Sequence, residues 1–242
     1  VQQYIKDMLN SFSTFSLQEL EAADLLERKD FKYVLKAEHL AKVLADMRPY
    51  YKVMKVGDYS YTDYLTDYFD TTDFKFYMQH HNGQLNRYKV RVRTYVQSAL
   101  HFYEVKFKNN KNWTSKHREK LHSPVIDIND FTKSITTDKL EKKMRVHYSR
   151  ITMLSMNGSE KITLDLNLKF EQQDRVCDMS HLCIAEVKSK THHPYIFRQE
   201  LKKLGYRSTG LSKYCLGITQ LYRHLKANSF KKTILNLQKL SA

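Results

Sequence analysis

Four basic residues share one face of a single short stretch, Arg87-Tyr-Lys-Val-Arg-Val-Arg93. In an extended chain successive side chains point to opposite sides, so Arg87, Lys89, Arg91 and Arg93 fall together while Tyr88, Val90 and Val92 face the other way. The next stretch repeats the arrangement: Phe102, Glu104, Lys106 and Lys108 oppose Tyr103, Val105 and Phe107. Further on, Glu186, Lys188 and Lys190 oppose Ala185 and Val187, and Asp165 and Asn167 oppose Leu164, Leu166 and Leu168. Guanidinium groups offer planar paired donors and ammonium groups offer point charges, so an enclosed surface lined in this way suits a phosphate polyanion. The plain alternative is a charged sheet face that meets water. That alternative holds for any one strand but weakens across several, because a solvated face mixes signs to avoid self-repulsion.

Such rows need strands to carry them. Segments 28–35, 64–70, 87–95, 100–108, 144–154, 161–170 and 182–188 are rich in Val, Ile, Tyr, Phe and Thr and alternate in polarity. They amount to about eight strands at most, enough to close a barrel. A helix over 16–26 opens on Ser16 as a cap, and a second runs from Ala37 to Met47, with Leu40, Val43, Leu44 and Met47 on one side. Helical spacing returns in the stretch IFRQELKKL and from Gly217 to Leu240. The expected fold is therefore α+β: a closed antiparallel barrel, or tunnel, of about eight strands, with flanking helices and a helical C-terminus over about 195–242. With 3 prolines, 6 glycines and no linker-like stretch, residues 1–242 read as a single domain.

Composition points the same way. Lys and Arg number 41 against 26 Asp and Glu, a formal charge of +15, which asks for a polyanionic partner. No apolar run is long enough to span a bilayer and Val1 to Asn10 lacks a signal-peptide core, so the expected setting is cytoplasmic, with a membrane partner left open. Cys177, Cys183 and Cys215 lack zinc or redox spacing and read as reduced thiols. No P-loop or GxGxxG turn is present. The adjacent pairs His80-His81 and His192-His193 cannot both reach one metal from a regular strand and read as surface or loop residues. The tyrosines, Tyr59, Tyr61, Tyr64 and Tyr68 among them, fit barrel packing better than base stacking, so nucleic acid is the less favoured polyanion.

Taken in order, several short motifs resemble a known family. They are Glu-Arg-Lys-Asp-Phe-Lys-Tyr at 27–33, Tyr-Phe-Asp-Thr at 68–71, the basic strand at 86–93 and Glu-Val-Lys-Phe-Lys at 104–108. Tyr-Ser-Arg at 148–150, Leu-Asp-Leu at 164–166, Ala-Glu-Val-Lys at 185–188 and Ser-Lys-Tyr at 212–214 follow. From about Glu27 to Gly217 the chain is similar to the catalytic domain of vacuolar transporter chaperone proteins and their bacterial relatives, within the triphosphate tunnel metalloenzymes. The resemblance implies roles. Lys32, Arg91, Arg93, Lys106, Arg150 and Lys213 would form the catalytic phosphate grip, with Lys89, Lys108 and Lys188 as secondary contacts. Glu186 would hold a divalent Mn or Mg ion. Glu104 and Asp165 would either support the metal or orient a lysine, and a salt bridge inside the barrel is an equal alternative for both. Two departures stand out: Arg28 and Asp30 occupy positions where related hydrolases carry glutamates, and Gln79, His80 and His81 stand where an arginine is usual.

The first departure bears on the reaction. A water nucleophile needs positioning and activation, a task for a carboxylate, whereas the terminal oxygen of a phosphate chain is already anionic. The carboxylate-poor first strand therefore favours transfer of the γ-phosphate of ATP to polyphosphate, with ATP and inorganic polyphosphate as partners. A triphosphate hydrolase on the same scaffold and a nonenzymatic polyanion or nucleic-acid binder are the competing readings.

Overall fold

The computed structural model describes residues 3–22, 29–111, 113–190 and 196–241. β-Branched and aromatic residues at alternate positions give strands β1 (Thr14–Phe15), β2 (Lys29–Lys36), β3 (Tyr51–Met54), β4 (Thr62–Thr71), β5 (Arg87–Tyr95) and β6 (Leu100–Lys108). They continue as β7 (Thr114–Leu121), β8 (Leu140–Ser155), β9 (Glu160–Gln172), β10 (Arg175–Met179) and β11 (Leu182–Ser189). The helices are α1 (Gln3–Leu9), α2 (Leu17–Ala22), α3 (Leu40–Met47), α4 (Lys75–His81), α5 (Ile128–Thr132), α6 (Ile196–Lys203), α7 (Lys213–Leu221) and α8 (Lys231–Ser241).

One sheet contains all the strands. Its main path runs β2-β11-β9-β8-β4-β5-β6-β7 with every neighbour antiparallel, while β3 adds to β8 and β10 to β9. The exception is β1, which pairs with β3 in parallel. The expected antiparallel fold with flanking helices is found; the strand path runs from β2 to β7, and among the described residues no ladder joins those two ends. The sheet nevertheless curls deeply: Lys32 on β2 and Glu186 and Lys188 on β11 act electrostatically on Lys106, which lies near the opposite end of the strand path.

Irregularities produce the bend. The β4–β8 register shifts between Tyr68 and Phe69, and the β8–β9 register shifts between His147 and Ser149. The second shift inserts an extra residue in β9 beside Asn167, whose φ of 54° is left-handed. Simple alternation fails there. Leu164 and Leu166 join one core cluster, whereas Leu168 and Phe170 join another, so β9 turns over at Asn167.

Three apolar clusters result. On the outer face, Tyr33, Leu35, Ile151, Met153, Ile162, Leu164, Cys183, Ala185 and Val187 pack under α1, α3 and α6. Also outside, Val90, Val92, Tyr103 and Val105 meet Phe76, Ile128 and Leu140. The third cluster lies on the inner face. There Val34, Met144, Val146, Leu168, Phe170 and Ile184 receive Tyr214, Cys215, Leu216, Ile218 and Leu221, so α7 closes one end of the tunnel. Gly217 permits that approach, since a Cβ at this position would stand 2.4 Å from Met144 Sδ and 2.6 Å from Phe170 Cδ1.

The helices expected from periodicity are found with changes. Ser16 caps α2 through a reciprocal pair, Ser16 Oγ accepting from Glu19 N and Glu19 Oε2 accepting from Ser16 N. The remainder of the expected 16–26 helix, residues 23–26, lies outside the described residues, as do Arg28 and the pair His192-His193. Ala37 to His39 form a 3₁₀ turn before α3. The span from Gly217 to Leu240 is not one helix, because the chain leaves helical geometry at Tyr222 and resumes in a 3₁₀ turn at Asn228–Phe230. Among the described residues no helix is long and apolar enough to cross a membrane.

Candidate active site

β5 and β6 present their cations in matched register: Arg87 opposite Lys108, Lys89 opposite Lys106, and Arg91 opposite Glu104. Arg91 Nε donates to Glu104 Oε2 at 2.5 Å, Arg93 Nη1 stands 3.8 Å from the same oxygen, and Arg118 Nε on β7 stands 3.6 Å from Oε1. Burial works against the Glu104 charge, yet Arg91 and Arg93 hold its carboxyl below the usual range. Arg91 lies deep in the molecule and still keeps 31% of its side chain exposed, the signature of a wet interior rather than an outer surface.

Arg93 is only 7% exposed and its Nε is buried with no hydrogen-bond partner. Its guanidinium lies 5.3 Å from the centre of the Tyr64 ring, and Arg150 lies 5.5 Å from the same ring and 5.4 Å from that of Tyr148. Tyr64 and Tyr148 stack at 5.0 Å with 8° between their planes. An aromatic pair thus serves as a platform for cations of two strands, β5 and β8.

Arg150 grips Asp165 with two bonds, and Lys213 at the start of α7 donates to the same carboxylate. Asp165 is 1% exposed; despite its burial, Arg150 and Lys213 hold its carboxyl far below the ordinary range. Ser212 caps α7, its hydroxyl accepting from Cys215 N and from Lys89 Nζ at 2.9 Å. Lys32 Nζ donates to the Leu211 carbonyl at 3.0 Å. The turn into α7 therefore collects lysines from β2 and β5 and sends Lys213 toward β9. Asp70 of the Tyr-Phe-Asp-Thr motif secures the neighbouring helix, accepting from Phe76 N and Tyr77 N at the head of α4 and from the Tyr214 hydroxyl.

Glu186 accepts from Lys188 Nζ at 2.9 Å, and Lys188 also reaches Asp30 at 3.1 Å. Against burial, Lys188, Lys32 and Arg150 lower the Glu186 carboxyl to about 2. Lys106 and Lys89 are also shifted down, but for them this favours the neutral form: burial and neighbouring lysines, Lys32 for both, pull each down to about 8.

Lys32, Lys89, Arg91, Arg93, Lys106, Arg150, Lys188 and Lys213 thus converge on one inner surface, and Lys108 sits near its mouth beside His80. Glu104 and Asp165 stand in salt bridges, the alternative to metal support. Among the described residues no three His, Cys, Asp or Glu side chains converge as a metal cage. The donor set fits a hard divalent ion that brings most of its oxygens with it, since Mg²⁺ commonly takes one or two carboxylates and completes its shell with phosphates and water. Glu186, which meets Lys188, is the carboxylate that the family resemblance assigns to such an ion.

Some inner residues escaped the sequence reading. Lys116 and Arg118 were missed because β7 is polar on both faces and shows no alternation. His80 and His81 are not loop residues. Both lie in α4, where His81 is 4% exposed and bonded to Asn82 and Asn228, and His80 faces the cations.

Comparison with known proteins adds the following. The VTC domain family matches the chain over residues 27–127 and 124–222. A solved putative adenylyl cyclase from Hippeastrum, described as revealing a dominant triphosphatase activity, has 15% identity and a TM-score of 0.53 over 80% of this chain and 96% of that one. A putative adenylate cyclase from Vibrio parahaemolyticus has 13% identity and a TM-score of 0.47, covering 77% of this chain and 95% of that one. A protein from Pyrococcus horikoshii has 11% identity and a TM-score of 0.47, covering 79% and 99%. No curated protein sequence matches.

Proposed function

The chain belongs to the VTC domain family, and from that premise we propose that it is a triphosphate tunnel enzyme that transfers the γ-phosphate of ATP to the end of a growing polyphosphate chain. A terminal phosphate oxygen of the polymer attacks the γ-phosphorus, the bond from that phosphorus to the β-γ bridging oxygen breaks, and ADP leaves with the bond's electrons. The polymer gains one unit, and no proton has to be removed from the nucleophile.

Arg91, Arg93 and Arg150 grip the triphosphate through directed N–H donors, while Lys32, Lys89, Lys106 and Lys188 offset its charge. Lys108 steers the chain at the mouth and Lys213 meets it near the α7 end. Glu186 would hold a divalent ion, Mg²⁺ or Mn²⁺, which would supply positive charge against the charge that develops in the transition state. The observation that carries the reading is the state of the inner carboxylates among the described residues: Glu104 is held by Arg91 and Asp165 by Arg150 and Lys213, so both are committed to aiming cations, while Glu186, which meets Lys188, is the one assigned to the ion rather than to a water.

A metal-dependent assay with ATP, reading long-chain polymer against inorganic phosphate, tests it. Polymer formation is the expected result. Release of phosphate alone would replace this reading with a hydrolase, and salt-sensitive binding of RNA or DNA without turnover would replace it with a polyanion binder.

A further inference from the structure

α4 ends inside the cationic region, and its last turn carries a side chain that the grip described above does not use. Nδ1 of His80 is buried with no hydrogen-bond partner, and so is Oε1 of the adjacent Gln79. Phe230 covers one face of the His80 ring at 5.9 Å and 21°. The charged groups that act on the ring come from three strands: Lys32 of β2, Arg87 and Lys89 of β5, and Lys108 of β6. All four are cations.

We propose that His80 is a proton-gated phosphate contact: when a phosphate chain occupies the tunnel beside Lys32, Arg87, Lys89 and Lys108, the His80 imidazole takes up a proton and holds a phosphate oxygen as a charged donor. The proposal rests on the phosphate-tunnel reading and adds to it a source of pH sensitivity.

Burial and the repulsion of Lys89, Arg87, Lys32 and Lys108 push the proton affinity of the ring down to about 3 and keep it neutral. An entering polyphosphate opposes both causes: its oxyanions cancel the field of the cations, and an acceptor for the unpartnered nitrogen offsets the cost of burying its charge. The same anion also re-protonates Lys89 and Lys106, but those groups titrate at about 8. Below pH 7 they are already charged, so proton uptake in this cluster at pH 6 belongs to His80. If binding restores the ring to its ordinary value of about 6.5, affinity should rise about four-fold between pH 7.5 and pH 6 from this group alone.

Tripolyphosphate without metal is the probe, and isothermal calorimetry at pH 6 in two buffers of different ionisation heat counts the protons taken up. Wild type should take up about three-quarters of a proton more per bound tripolyphosphate than His80→Gln. His80→Arg, which carries a fixed charge, should show only the pH dependence that the ionisation of tripolyphosphate itself imposes, the same profile as His80→Gln, and should lack the additional rise toward pH 6 seen in wild type. Histidine NMR, with the resonance assigned by its loss in His80→Gln, should show the ring charged at pH 6 only when tripolyphosphate is bound. Equal uptake by wild type and His80→Gln, or a ring that stays neutral under saturating tripolyphosphate, overturns the proposal and leaves the tunnel reading standing. Absence of tripolyphosphate binding at every pH, by a protein with native circular dichroism, overturns both.

Discussion

Arg150 of β8 and Asp165 of β9 are register partners joined by a fork of two bonds, Nε to Oδ1 at 2.6 Å and Nη2 to Oδ2 at 2.8 Å. Lys213 closes on the same carboxylate from α7. One buried acid therefore aims two cations from different elements, and its oxygens are committed to that task.

Asp165→Asn keeps the shape and removes the charge. Breaking a buried pair in this way costs about 3–5 kcal/mol of stability, readable by denaturant unfolding. Turnover should fall as Arg150 and Lys213 lose their aim, but the metal concentration giving half-maximal activity should stay near the wild-type value. A metal requirement shifted more by Asp165→Asn than by Glu186→Gln would transfer the ion to Asp165.

Glu186→Gln separates metal chemistry from charge. Phosphate affinity without metal should persist or rise slightly, because a negative group leaves a cationic site, while metal-dependent ADP release should collapse.

Arg93→Ala removes a nearly buried clamp that acts on ground and transition states alike, so ATP affinity and turnover should fall together by about 2 kcal/mol or more. Arg87→Ala is the control: Arg87 donates to the Gln84 carbonyl in the turn before β5, where water weakens its pull on phosphate. Equal damage from the two substitutions would move the working segment toward that turn.

Lys89 and Lys106 predict an unusual pH response of the ligand-free protein. Their folded-state values of about 8 lie below the ordinary 10.5, so between those limits the unfolded chain binds protons that the folded protein lacks. Stability without ligand should therefore rise with pH from about 8 toward 10, the reverse of what a stabilising lysine pair would give. Stabilisation by tripolyphosphate should shrink over the same interval. Thermal melts read both trends, and the double variant Lys89→Met with Lys106→Met should flatten them.

Gly217→Ala tests how α7 is seated. A Cβ there collides with Met144 and Phe170, an overpacking that costs about 1–3 kcal/mol. Because α7 carries Lys213 at its start and is capped by Ser212, tripolyphosphate affinity should fall as well, although Gly217 has no side chain to offer a phosphate. Loss of stability with unchanged affinity would separate the helix from the phosphate grip.

Strand alternation made much of this legible from sequence. Arg87 to Arg93 and Phe102 to Lys108 fix their own sidedness, because a two-residue period holds along any regular strand whatever it packs against. The family motifs at 68–71, 148–150, 185–188 and 212–214 marked the other walls. What local pattern could not give were the places where regularity breaks and the contacts made across the tunnel. The extra residue at Asn167 turns β9 over, so that Asp165, Leu168 and Phe170 serve the inner face together, and no alternating pattern announces that reversal. β7 carries polar residues on both faces and lacked a period to detect. The partners of Glu104 and Asp165, and the four cations around His80, come from elements far apart in the chain, so which charges meet was set only when the sheet curled and groups from its two ends shared one poorly solvated space.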